Sequence, residues 1–199
     1  NGFETSDMLK EIEISIDIEG IASFHITGGK KIIITPSPGA GDEMVRAQLE
    51  KWGIISILHQ RGILNFHASS FSLDGKGIMI CGDTGAGKSS VTAAFSLGKG
   101  KFLNDDISAI TFIAGEANII KHEHRISLHS HSLKQIQPDI KPDDHSGGLK
   151  HDLQMMDEVE KHTPLNYIFH LKVDAIERPV IREITGAEKF SLLRGNICS

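Results

Sequence analysis

Cysteine is scarce: the chain has two, Cys81 and Cys198, among 199 residues. Two thiols cannot form the disulfide framework of a small secreted scaffold, so a reduced, cytoplasmic setting is expected. No apolar run approaches the ~20 residues needed to span a bilayer, and the N-terminus has no signal-peptide pattern. Basic residues are not in excess. With 21 Lys and Arg against 26 Asp and Glu, the formal net charge is -5, which argues against broad capture of DNA, RNA or an anionic membrane. The 6 prolines and 20 glycines are too few for a fibrous or disordered chain. What remains is a folded globule, and its length makes one continuous domain the default.

The first third reads as a β-rich layer followed by a helix. Ile12, Ile14, Ile16 and Ile18 alternate with polar residues, the period of a half-buried strand. Glu19-Gly20 predicts a turn into a strand over 21–26, and Gly28-Gly29 a turn into the run Ile32, Ile33 and Ile34. Asp42 is a candidate cap for a helix over 43–60, in which Val45, Leu49, Trp52 and Leu58 favour one face. Trp52 is expected as a core anchor. Residues 1–60 are therefore expected to form an N-terminal β-rich accessory region plus helix, and 61–199 the core, within an α/β fold.

The middle of the chain carries the chemistry. Extended structure is expected over 63–73 and a buried strand over 77–81. Next come Gly82, Asp83, Thr84, Gly85, Ala86, Gly87, Lys88 and Ser89, which satisfy the whole G-x-x-x-x-G-K-[ST] pattern. Such a loop needs glycines so that backbone amides can curl around phosphate oxygens, and a helix whose N-terminus faces the anion. A helix over 88–97, beginning Lys88-Ser89-Ser90, meets that need. Lys88 is suited to neutralising the β- and γ-phosphates of ATP, and Ser89 to giving Mg²⁺ a hydroxyl ligand. A strand over 101–104 then leads to Asp105-Asp106, and a further strand is expected over 107–113. Adjacent carboxylates at a strand end are costly to bury without compensation. One can hold Mg²⁺ while the other takes the proton of an attacking hydroxyl, or both can sit on a solvated turn.

Beyond residue 115 the pattern loosens. The polar stretch 121–145, with Pro138, Pro142 and Gly147-Gly148, reads as a loop system. Its histidines at 122, 124, 129 and 131 have no spacing that closes a tetrahedral metal site. Strands are expected over 165–173 and 180–184, and a terminal helix over 186–193.

Two stretches, FHASSFSLDGKGIMICGDTGAGKSS at 66–90 and KFLNDDISAI at 101–110, resemble the catalytic domain of the HPr kinase/phosphorylase family and its smaller HPr-kinase-like relatives. Phosphoenolpyruvate carboxykinase is more distantly similar in the same arrangement. PLNYIFHLK at 164–172 and IREITGAE at 181–188 match more weakly. The resemblance implies a P-loop α/β core and an ATP- and Mg²⁺-dependent kinase. By that analogy His67 faces the transferred phosphate or metal, Lys88 binds phosphate, Ser89 and Asp106 organise Mg²⁺, and Asp105 accepts the proton. Lys150 sits where relatives often carry a basic residue. The implied partner is a peptide or protein bearing a hydroxyl acceptor, such as a serine of a ribosomally made precursor peptide, and a homo-oligomer is implied as well. The full glycine-rich segment used for phosphorylase activity is not found, which favours a kinase-like relative. The competing readings are a noncatalytic nucleotide-binding regulatory module and a P-loop ATP hydrolase.

Overall fold

In the computed structural model, residues 12–137, 150–175 and 178–198 are described. The prolines and glycines expected to shape the loop at 138–148 lie outside them. The chain divides into two compact units, one built from the residues up to Asn65 together with Cys198, the other from Phe66–Ile197.

The first unit contains a three-stranded antiparallel sheet of β1 (Glu13–Ile18), β2 (Ala22–Thr27) and β3 (Lys31–Pro36). Alternation puts Ala22, Phe24 and Ile26 on one face, where they are fully buried against Val45, Leu49 and Ile57. The expected single helix over 43–60 is instead three pieces. They are α1 (Asp42–Gln48), a π-helical turn (Leu49–Gly53) and α2 (Ile54–Gln60). Gly53 ends the bulged turn in a close-packed place: a Cβ there would stand 2.8 Å from Leu49 Cδ1 and 3.2 Å from Ile32 Cδ1, so a larger residue would push those side chains aside. The cap is Gly41 rather than Asp42. Its carbonyl accepts from the amides of Met44 and Val45, and Asp42 lies inside the first turn, where its charge meets the helix dipole favourably. Trp52 is only partly buried, with the Lys51 ammonium 4.8 Å from its ring centroid. The buried Gln60 ties α2 to the sheet, accepting from Gly29 N–H and donating to the carbonyls of Ile12 and Ile26.

The second unit is α/β. Its seven-stranded mixed sheet uses β4 (Leu64–His67), β5 (Ser69–Leu73), β6 (Lys76–Gly82), β7 (Lys101–Asn104), β8 (Ile107–Ile113), β9 (Glu116–Ile120) and β12 (His162–Leu171). The spatial order is β4-β8-β9-β12-β6-β5-β7. β12 runs parallel to β6, while the pairings β5–β6, β5–β7, β8–β9 and β9–β12 are antiparallel. Although β5 and β8 are not neighbours in this order, Ser108 Oγ donates to Ala68 O and is hydrogen-bonded to Ser70 Oγ, at 3.0 Å each. The sheet curls to bring them together.

The helix α3 (Lys88–Ser96) follows the loop after β6. It packs Ala93 into a core with Phe102, Ile126, Leu128, Leu133 and Met155, while Phe95 stacks on Phe71 at 4.9 Å. Burying Phe102, Ile126, Leu128 and Leu133 contributes about 1.5–3 kcal/mol each, so the loop is held between well-anchored elements. Residues 121–136, expected as loop, instead contain β10 (Arg125–His129) and α4 (Ser130–Ile136). β10 pairs with β11 (Lys150–Gln154) in a two-stranded antiparallel sheet. No strand forms over 180–184. The terminal helix α5 spans Gly186–Gly195. Among the described residues, no helix is long and apolar enough to cross a membrane.

Candidate functional site

The site begins where β6 becomes α3. Gly82 has φ +137°, and a Cβ on it would stand 2.5 Å from Leu171 O on the neighbouring strand β12. Here the backbone approach requires glycine. Gly85 and Gly87 also have positive φ, and Gly87 leads directly into α3. The loop between them is open: Asp83, Thr84 and Gly85 are exposed, while Ala86, Gly87, Ser89 and Ser90 are partly exposed.

Lys88 is different. It is 7% exposed, and its Nζ folds back over the loop to donate to Gly82 O (2.8 Å) and Asp83 O (3.2 Å). Among the described residues it has no carboxylate partner. A buried ammonium held by main-chain carbonyls is an unneutralised charge, suited to an anion at the loop. The nearby Cys81 thiol is pushed up to about 12 by burial, with the Lys88 charge pulling the other way. It is therefore no nucleophile at neutral pH.

Asp105 and Asp106 occupy contrasting environments. Asp105, at the end of β7, is 6% exposed. Its Oδ1 accepts from Ser69 Oγ (2.5 Å) and Ser89 Oγ (2.8 Å), and its Oδ2 from Ser127 N–H (3.2 Å). Asp106 stands in the left-handed region at φ +63°, with a side chain 78% exposed. His67 Nδ1 lies 3.3 Å from Asp106 Oδ1, and the Ala68 amide donates to Asp106 O. Ser89 is thus joined to Asp105, whereas the sequence expectation grouped it with Asp106. The cause is the local turn: the positive φ of Asp106 points the adjacent carboxylates to different sides, and only the inward one meets α3.

Besides Ser127, three residues absent from the sequence expectation also meet this site. Ser69 bonds Asp105 as described. Glu123 Oε2 accepts the Asp105 amide at 2.6 Å, and its carboxyl is raised to about 7. Burial is the main cause, reinforced by the charges of Asp105 and Asp106 and opposed by the bond from the Asp105 amide. Asn196 accepts from both Gly82 and His67 amides. A run of serines on a strand otherwise apolar was the one local signal for Ser69. Glu123 and Asn196 are far along the chain, and only the fold brings them in.

Lys150 is exposed at the start of β11, opposite His129. His122 bonds Ile120 O and lies 3.6 Å from Glu123, while His124, His129 and His131 are exposed. Among the described residues no group of three or more His, Cys, Asp or Glu side chains could hold a metal ion by itself.

No family model matches the chain, and no curated protein matches it. Among solved structures it is similar to the Hpr(Ser) kinase/phosphatase from Coxiella burnetii, at 15% identity and a TM-score of 0.40. The match covers 60% of this chain and 65% of that protein. The likeness is partial, in fold alone, and identifies no site residue.

Proposed function

We propose that this chain is an ATP- and Mg²⁺-dependent kinase that transfers the γ-phosphoryl group to a hydroxyl, with serine in a peptide or protein as the acceptor class. The observation that carries this reading is one constellation. The buried, carboxylate-free Lys88 closes a glycine loop whose next residue, Ser89, is hydrogen-bonded to the buried Asp105, while the Asp106–His67 pair stands open beside them.

In this reading the loop amides and Lys88 bind and orient the phosphates. Asp105 already accepts from three donors and holds Ser89 in place. Asp106 is exposed and oriented by His67, which suits it to receive the acceptor's proton. The acceptor oxygen bonds to the γ-phosphorus, the bond from that phosphorus to the β,γ-bridging oxygen breaks, and ADP leaves with the electron pair. These roles exchange the two aspartates relative to the family analogy. The donor pair of Ser89 hydroxyl and Asp105 carboxylate is all oxygen and fits Mg²⁺, which is held by one or two carboxylates with substrate phosphates and water completing its shell. Mg²⁺, when bound, supplies neutralisation of phosphate charge.

The test is incubation with γ-labelled ATP and a panel of serine peptides, followed by mass spectrometry. Label on a serine is expected. ATP turnover without labelled acceptor would favour a hydrolase, and binding without turnover a regulatory module; either result would overturn the kinase reading.

A further inference from the structure

The antiparallel register of β5 on β6 pairs Ser69 with Ile80. Continued by two residues, it would set His67 opposite Gly82. The two do not pair. His67 N–H donates instead to Asn196 O at 2.8 Å, and Gly82 N–H to Asn196 Oδ1 at 3.1 Å. One residue at the end of α5 therefore takes both amides that the sheet leaves over, and it sits between the segment bearing His67 and the first glycine of the phosphate loop. Its own geometry is fixed. Asn196 Nδ2 donates to Leu192 O at 2.7 Å in the last turn of α5, the Asn196 amide donates to Leu193 O, and Ile197 bridges Phe66.

From this we infer that Asn196 is a positioning residue: it sets the spacing between the Gly82 end of the phosphate loop and His67, and so couples α5 to the site. An asparagine suits the place because one side chain both accepts from Gly82 and donates to its own helix. Without Oδ1, the Gly82 amide loses its partner, and the start of the loop is freed to move. This inference rests on the kinase reading for its catalytic meaning, though its geometry is measurable without nucleotide.

The experiment compares the full chain with Asn196→Leu, which keeps the branching at Cγ but removes Oδ1 together with the Nδ2 bond to Leu192, and with Ser191→Gly, which loosens the exposed middle of α5 without touching the bridge. Amide hydrogen exchange at Gly82, read in the absence of nucleotide, is expected to speed up about tenfold in Asn196→Leu and to stay near wild type in Ser191→Gly, as for loss of one hydrogen bond. The dissociation constant for ATP with Mg²⁺ is expected to rise by a similar factor in Asn196→Leu alone. Unchanged Gly82 exchange in Asn196→Leu would overturn the inference. So would equal effects in both variants, which would reduce Asn196 to a helix stabiliser. A wild-type protein that binds no nucleotide would overturn the kinase reading instead, and the Gly82 exchange separates that failure from this one.

Discussion

Asp105 and Asp106 are neighbours in the chain, yet one is buried under three donors and the other is mostly in solvent. Their substitutions should therefore separate. Asp105→Asn weakens charge-assisted bonds from Ser69, Ser89 and Ser127, and we expect it to lower stability by about 2 kcal/mol. Asp106→Asn touches no buried bond and should leave stability within about 0.5 kcal/mol. It should reduce turnover by about 100-fold or more while ATP affinity changes little, since it removes the proton acceptor alone. Urea denaturation alongside steady-state kinetics checks both. Equal stability losses, or normal turnover in Asp106→Asn, would contradict the assignment. Glu123 adds a pH dependence in the metal-free protein. Its carboxyl is raised from 4.5 to about 7, so the folded state holds the proton more tightly than the unfolded chain. Stability from this group is full below about pH 4.5 and is lost as pH rises towards 7. Glu123→Gln should therefore gain stability relative to wild type across that window, by an amount on the order of 1–3 kcal/mol. A difference between the two proteins that does not vary with pH would show that Glu123 is not the group responsible.

The strand–loop–helix from β6 to α3 was legible because every requirement is local: an apolar strand, glycines at fixed offsets, then helix formers. The close approach of Gly82 to Leu171 was not, since it depends on a strand about ninety residues later. It predicts a difference between loop glycines. Gly82→Ala should destabilise by about 3 kcal/mol, through backbone strain and a clash with the Leu171 carbonyl. Gly85→Ala meets nothing within 4 Å and should cost about 1 kcal/mol for its positive φ. Thermal unfolding of the two variants measures this, and equal losses would remove the close approach as a constraint. Elsewhere, local pattern misled. β10 and α4 escaped notice because just Ile126, Leu128 and Leu133 of that stretch are buried, too few for a clear period. Residues 180–184 are rich in β-branched Val and Ile but have no partner strand among the described residues. The expected single helix over 43–60 was interrupted by a π-helical turn ending at Gly53.

For the whole molecule, the site proposed here lies within a single compact unit, Phe66–Ile197, so one chain supplies every residue assigned a role. Homo-oligomerisation, implied by the family resemblance, is a separate proposal. Light scattering over a concentration series should give a mass above that of the 21.7 kDa chain, and a constant monomer mass would defeat it without touching the site. The central claim is that the loop at 82–89 is a phosphate site completed by a buried lysine. The most direct measurement is calorimetric titration of ATP with Mg²⁺ into the wild-type chain and into Lys88→Ala. Charge-assisted contacts to the phosphates should make the wild type bind about 10- to 100-fold more tightly than the variant. No binding by the wild type, or equal affinity in the two proteins, would contradict a phosphate site at this loop.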